Sequence, residues 1–588
     1  MHHQLPKYKL LITLLAISKL FMSCPAKAQN IDQQNIIDQQ DLITRNQQNQ
    51  LEEQRRLTEK EIIKKQRSAK NKNNEQDQEQ SEISNQGNEC FVIKKIKLSN
   101  ANSLSDRQQK KLVSPFINKC SDPKTINELI TTIQNFYNSQ GYVSARVVVP
   151  KQNIKDGNFE LKIFEGRIEK LIFNDNKLTD KMQKFTAFGF IDGKTLKLQE
   201  IDQGIYQINR LPSNHATMKI QPADTDGQAK IYVINQKKFP IRATASYDNL
   251  GNDFTGIKRT NFSSGFDNLL FLNDSINLNY STNLNDDSQT KDIKSFTSRI
   301  SIPFRFTTFS YDYSRSEFRG TNQGIYNKIG LKGFSNNNNF TVDHVLYSKA
   351  NLRFSSLVSL STKSSASYLN NIKIQTSQRK LSILNLSFSI SDYFKNGISL
   401  YLKPSYFKGL KLLNAIQDEP NIHKDIPKNQ FDYFKLYASI STKIIIPKTT
   451  IPLSISSEFD GQYAKQTLLG SEQFAVGGYY SVRGRRETFI IGDSGYNLRN
   501  KINFNIASVL GFFLKNNSNQ PITENLNYFK NFSLEPFYDY GYVKNKYINS
   551  GADGRLAGTG IKTLFNSKYF NASTTFSWAI NNSRLINS

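Results

Sequence analysis

The sequence predicts an exported chain of two small α+β repeats followed by a transmembrane antiparallel β-barrel of about 16 strands. Three observations carry that fold class. Only 37% of the 588 residues are hydrophobic and mean hydropathy is −0.54, so the chain is too long for one core and too polar for helices in lipid. Past the first 30 residues no run approaches the roughly 20 apolar residues that a spanning helix needs. Between 90 and 238 a β-α-α-β-β order occurs twice, and from 239 onward apolar and polar residues alternate in segments separated by Asn, Asp, Ser and Gly. Such alternation suits strands with one face to lipid and one to water.

Composition narrows the function classes. The net charge of +27 admits a nucleic-acid reading. The lysines and arginines, however, are scattered through alternating segments beside many asparagines, which fits compositional bias plus a basic lumen, and no nucleic-acid partner is expected. Forty Phe and 27 Tyr against one Trp fit aromatic girdles, and would equally fit a soluble all-β protein. Five histidines, two of them near the N-terminus, form no H-x-x-H or H-E-x-x-H zinc pattern. No G-x-S-x-G, phosphate-binding loop or dinucleotide fingerprint occurs either, so no enzyme activity, cofactor or metal is expected.

Taken in order, residues 1–28 read as a signal peptide. His2, His3, Lys7 and Lys9 precede the apolar run Leu10 to Ser18, and Ala26-Lys27-Ala28 offers small residues for cleavage after Ala28. Cys24 as a lipid-attachment cysteine is the alternative, against which Phe21 stands where such signals prefer leucine. Residues 29–66 form a polar segment with helix-forming Gln, Glu, Arg and Lys, and 67–89 a linker. A polar helix over about 31–66, a floppy tail and a coiled coil are the open readings, the last lacking sustained heptads. Cys90 and Cys120, alone in the mature exported chain and closely spaced, fit a disulfide better than a metal or redox pair.

The first repeat spans 90–165. Phe91 to Leu98 reads as a strand, Asp106 to Val113 as a helix, and Thr125 to Gln140 as a second helix with a Thr125–Glu128 capping box and a stop at Gly141. Ala145 to Pro150 and Phe159 to Glu165 follow as strands. The second repeat, 166–238, carries Ile168 to Phe173, helices near Thr179 to Phe188 and from Leu198 to Leu211, then His215 to Gln221 and Ala229 to Ile234. The remaining 350 residues, 239–588, at about 20–22 per strand and connection with membrane strands of ~9–11 residues, make roughly 16 strands. That size encloses an aqueous channel. At the end no aromatic residue follows Trp578, which leaves either a short tail or a missing closing strand.

Within the barrel region, Gly477-Gly478-Tyr479-Tyr480-Ser481-Val482-Arg483-Gly484-Arg485-Arg486-Glu487, then Gly492-Asp493-Ser494-Gly495-Tyr496-Asn497-Leu498-Arg499-Asn500, breaks the alternation with glycines and arginines. A long loop near 474–495 is predicted. This order, G-G-x-x-x-V-R-G, G-D-x-G and L-R-N, resembles the lid loop of the two-partner secretion transporters, outer-membrane barrels that export haemolysins and adhesins. Arg485 departs from the family, which usually carries an aromatic residue there. The two repeats resemble POTRA domains, and Gly141-Tyr142-Val143, Phe164-Glu165-Gly166-Arg167-Ile168 and Asn209-Arg210-Leu211-Pro212 resemble the family's wording at the same places.

The resemblance implies a bacterial outer-membrane protein with POTRA domains in the periplasm. It implies a secreted exoprotein as client, outer-membrane lipid around the barrel, an N-terminal helix (29–66) that plugs the pore, and a monomer. The lid-loop motif is Gly477, Gly478, Val482, Arg483 and Gly484. A guanidinium at the tip of a loop in a narrow lumen needs a carboxylate, and a planar donor group suits a bidentate one. Asp539 with Gly541, in Phe537-Tyr538-Asp539-Tyr540-Gly541, resembles the family's F-x-D-x-G wall motif and is the expected partner. Glu487 and Asp493 are nearer, but would pair the loop with itself; a solvated Arg483 is the further alternative. The rival functions are a barrel-assembly protein of the same superfamily and a porin or nutrient receptor, which would leave the repeats without a purpose.

Overall fold

In the computed structural model the described residues run from 91 to 580, apart from 155, 175–176, 226, 285–289, 324–327, 350, 395, 424, 450, 486–487, 516–528 and 547–552. The expected signal peptide (1–28), plug helix (29–66), linker (67–89), Cys90, Glu487 and the terminus 581–588 lie outside the described residues.

The first repeat comprises β1 (Phe91–Val92), β2 (Lys95–Ser99), α1 (Asp106–Val113), β3 (Cys120–Ser121), α2 (Pro123–Ser139), β4 (Ala145–Val148) and β5 (Asn158–Glu165), with β2, β5 and β4 side by side in that order. Leu129, Ile133 and Tyr137 fall four apart on α2 and pack on Phe159, Leu161 and Ile163 of β5, all essentially inaccessible. Burying each such side chain is worth about 1.5–3 kcal/mol. The Tyr137 hydroxyl donates to Glu165 at 3.1 Å, and burial beside that carboxylate pushes it well above the usual phenol range.

Two local expectations are corrected. The strand expected over Phe91 to Leu98 is split, because β1 pairs with β3 whereas β2 pairs with β5, and Ile93 between them turns into the core. Helix α2 starts two residues early. Pro123 occupies its first turn and the Asp122 carboxylate accepts from the Thr125 amide at 2.7 Å, so Asp122 replaces Thr125 as the cap.

The second repeat comprises β6 (Arg167–Phe173), α3 (Leu178–Phe188), α4 (Leu198–Asn209), β7 (Asn214–Pro222) and β8 (Gln228–Lys237), with sheet order β6-β8-β7. Its helices lie against the nearby barrel turns. Asn273 Nδ2 donates to Gln183 O and Thr186 Oγ1, both at 2.8 Å, and Gln203 and Gln207 donate to the Arg305 carbonyl at 3.0 and 2.9 Å. Arg210 is half-buried at this junction, donating to Ser301 Oγ at 2.6 Å and the Asn273 carbonyl at 2.8 Å. Burial pushes its guanidinium down to about 10, still cationic at neutral pH.

The membrane domain continues with β9 (Ile241–Asp248), β10 (Arg259–Asp267), β11 (Ser275–Asn283), β12 (Asp292–Phe304), β13 (Thr307–Gln323), β14 (Lys328–Lys349), β15 (Leu352–Leu369), β16 (Ile372–Tyr393), β17 (Ser399–Leu410) and β18 (Asp432–Ile445). After these come β19 (Pro452–Ala464), β20 (Phe474–Gly477), β21 (Phe489–Gly492), β22 (Ser494–Asn505), α5 (Ile506–Lys515), β23 (Phe532–Lys544), β24 (Gly554–Asn566) and β25 (Asn571–Ile580). All but β20 and β21 join one antiparallel sheet of fifteen strands running from β9 to β25, consistent with the expected barrel of about 16. Phe262, Tyr280 and Phe296 are registered across β10, β11 and β12 and face outward, as lipid-facing residues should. By strand parity α5, which the sequence reading did not foresee, lies at the same end of the barrel as the repeats.

Candidate functional site

Strands β20 and β21 pair from Phe474–Gly492 to Gly477–Phe489, so the loop expected near 474–495 is a hairpin between β19 and β22. Its tip is closed locally. The Ser481 hydroxyl donates to the Gly477 carbonyl and accepts from the Gly477 amide, both at 2.6 Å, and the Gly478 amide donates to Arg485 O at 2.8 Å. Gly478 and Gly484 take φ of 71° and 92°, which only glycine adopts without strain. Val482, 0% exposed, packs with Phe474 and Val476 of the hairpin against Val543 and Leu556 of the wall.

That apolar contact aims Arg483 at the barrel wall. Its Nε donates to Asp539 Oδ2 at 2.6 Å, its Nη2 to Oδ1 at 2.8 Å and its backbone amide to Oδ2 at 3.1 Å. The guanidinium carbon lies 3.6 Å from the centre of the Phe537 ring, and Nη1 is 3.7 Å from Glu535. Arg483 is 3% exposed and Asp539 0%. A fork held by both carboxylate oxygens over an aromatic face is the arrangement in which a buried arginine is best compensated.

Period two on β23 explains the wall. Glu535, Phe537, Asp539 and Gly541 share one face, and that face is the lumen. A Cβ on Gly541 would overlap Val476, and one on Gly558 of β24 would overlap the Arg483 carbonyl, so two glycines make the hollow in which the loop sits. Asp493 ties the two limbs of the loop together and also reaches the connection that follows β23. It accepts from the Leu468 amide at 2.8 Å, Gln473 Nε2 at 3.1 Å and the Lys546 amide at 2.9 Å.

A second anchor was not foreseen. Glu472, in the ascending limb of the loop, pairs with Lys363 Nζ of β15 at 2.8 Å and accepts from the Tyr433 hydroxyl of β18 at 3.1 Å. Nothing local marks these three residues, which are separated by 39 to 109 positions. Gly558 and the stacking role of Phe537 were missed as well, although Phe537 shares the face of Asp539 and could have been read from the alternation. Cys120 is disulfide-bonded, and its neighbour across the β1–β3 pair is Val92, two residues from Cys90. Among the described residues no group of three His, Cys, Asp or Glu could hold a metal ion.

Comparisons with known proteins match the chain over both repeats and the large sheet. The profile described as haemolysin secretion/activation protein ShlB/FhaC/HecB matches residues 227–563, that of the ShlB-type POTRA domain matches 91–166, and a further POTRA profile matches 167–222. The outer membrane transporter CdiB of Dickeya dadantii is 29% identical over 417 residues, covering 71% of this chain and 72% of its own. The hemolysin transporter protein ShlB of Serratia marcescens is 28% identical over 425 residues, covering 72% and 74%. The solved structure of CdiB from Escherichia coli superposes with a TM-score of 0.78 at 22% identity over 94% of this chain and 96% of that one, a likeness of fold.

Proposed function

This chain belongs to the haemolysin secretion/activation family of ShlB, FhaC and HecB, and from that premise we propose that the Arg483–Asp539 seat is the lock of its translocation pore. The protein is an outer-membrane two-partner secretion transporter with its POTRA domains in the periplasm. Its relatives are transporters, which favours export over barrel assembly. The client is one large exoprotein of haemolysin or adhesin type that arrives unfolded. The outer edges of β4 and β7, each at the end of its sheet, accept it by backbone pairing. Residues 29–66 plug the pore at rest, Cys90 pairs with Cys120, and the transporter works as a monomer without ATP, driven by client folding outside.

The observation that carries the lock is a guanidinium 3% exposed that meets both oxygens of a wall carboxylate from the tip of a loop. A seated loop occludes the lumen, so transport requires that it leave and return, and the paired charge is the contact that re-seats it; a loop without it strays into the path of the entering chain. The test is co-production with a candidate exoprotein of haemolysin or adhesin type. The client appears in the medium with the intact transporter and stays in the periplasm with an inserted Arg483→Ala barrel; equal export by both discards the lock.

A further inference from the structure

Helix α3 closes the core of the second repeat with Ala187 and Phe188, yet shows a second apolar face that points away from that core. Leu178, Met182 and Phe185 lie on one side of the helix and Phe190 just beyond it; all four are exposed, Leu178 to 74% and Phe190 to 80%. A helix that served only the repeat would carry polar residues there. The stripe leads to the barrel. The Phe185 ring lies 5.1 Å from that of Phe190 and 5.4 Å from that of Phe304, the last residue of β12. Phe304 ends an outward column with Phe296 and Ile300, each exposed on the face that the barrel turns to lipid. A neighbouring projection comes from the turn between β10 and β11. There the buried Asp274 carboxylate accepts from the amides of Leu269 and Leu270 at 3.0 Å and of Leu272 at 3.3 Å. Phe271 takes φ of 59°, a conformation that bulky residues rarely adopt. With its amides drawn inward, the turn leaves Leu269, Leu270 and Phe271 exposed. Asn273 of the same turn holds Gln183 and Thr186 of α3, and the Arg305 amide donates to the Thr186 carbonyl at 2.8 Å, so helix and turn are fixed to the rim side by side.

We propose that the apolar stripe of α3 and the turn 269–271 form a footing that sits in the periplasmic leaflet of the outer membrane and seats the second repeat on phospholipid. Three observations favour lipid over a protein partner. The patch continues, ring to ring, the surface that the barrel presents to lipid, and exposed apolar patches of this kind mark interaction sites. It stands on the outside of the barrel, whereas the sheet edges open to a client are β4 and β7. Lys177 and Lys181, both exposed, precede Leu178 and Met182 by one position, so a basic row borders the apolar one, as in helices that lie in an anionic interface. Because α3 is bonded to the rim, the leaflet then sets the tilt of the repeat and holds the β7 edge at a fixed distance from the pore mouth. The inference rests on the chain's place in the outer membrane, and neither on the lock nor on the identity of the client.

Its test reads contact with lipid rather than secretion. The purified full chain is placed, one copy per disc, in nanodiscs of phosphatidylethanolamine and phosphatidylglycerol, with a polarity-sensitive fluorophore on Leu178→Cys, Phe190→Cys or Leu270→Cys. Two further sites set the limits: Phe296→Cys in the lipid-facing band, and Asp224→Cys in the β7–β8 turn, at the end of β7 away from the Ser213–Asp267 contact with the barrel. Phospholipid with a doxyl group high on its acyl chain quenches the three footing labels to the level of Phe296→Cys and leaves Asp224→Cys bright. Footing labels as bright as Asp224→Cys, in protein whose heat-modifiable mobility shows a folded barrel, overturn the footing. So does a blue shift at these labels that requires an added client segment or a second copy of the chain, with no quenching in the single-copy disc.

Discussion

Replacing Asp539 isolates the lock from the rest of the seat. Asp539→Ala removes the acceptor of three bonds at 2.6, 2.8 and 3.1 Å and leaves a guanidinium buried over Phe537. Breaking a buried pair from one side costs about 3–5 kcal/mol. Glu535, 3.7 Å from Nη1, retains part of the charge compensation, which puts the expected loss at the lower end, about 3 kcal/mol. At 1.4 kcal/mol per decade this moves the seated-to-displaced ratio of the lid by roughly 100-fold. The assay is maleimide labelling of Ser481→Cys, a site 3% exposed when seated, with every protein compared carrying that change. Labelling accelerates about 100-fold in Asp539→Ala and less in Asp539→Asn, which keeps one acceptor. The exchange Arg483→Asp with Asp539→Arg recovers part of the protection and part of the secretion. Equal labelling and secretion in parent and Asp539→Ala, both inserted, would refute the reasoning.

Gly558→Ala reaches the same phenotype without touching a charge, since its Cβ overlaps the Arg483 carbonyl; faster Ser481→Cys labelling is expected, and parent-like labelling counts against the steric seat. Reduction of the Cys120 disulfide, for which we propose Cys90 as the partner across about 30 residues, lowers the stability of the first repeat by ~3–4 kcal/mol, read as a drop in its denaturation midpoint; a midpoint indifferent to reductant rejects the pairing. The Asp122 carboxyl is held below the usual range by the Thr125 hydroxyl and amide. Its capping contribution is therefore complete above the unfolded value of about 3.9 and is lost as pH falls through the lower folded value. Amide exchange of α2 should then converge between parent and Asp122→Asn in strong acid and differ at neutral pH.

How much of this was legible depends on the distance over which each feature is encoded. Helix faces four residues apart, strands that alternate and the order of both repeats are local, and Ile133 or Leu161 is assigned to a core from its neighbours alone. The lid motif and Asp539 were legible as a resemblance plus a charge argument: a buried Arg483 demands a carboxylate, and few stand on a lumenal strand face. Where local signals compete, the reading slipped, as at Asp122, where Pro123 moved the helix start, and at Ile93, where two different partners split one apolar run. The two repeats and the barrel were legible in the sequence alone, and so was Asp539 as the expected partner of Arg483. The contacts of Glu472 with Lys363 and Tyr433, of Gly558 with the Arg483 carbonyl, and of Tyr479 and Tyr480 with Lys562 and Arg259 emerge only in the folded chain. Those contacts follow from how the twisted strands of one large sheet curve round a lumen and bring residues far apart in the chain face to face, a geometry that accumulates over the whole sheet and leaves no mark on any short stretch of chain.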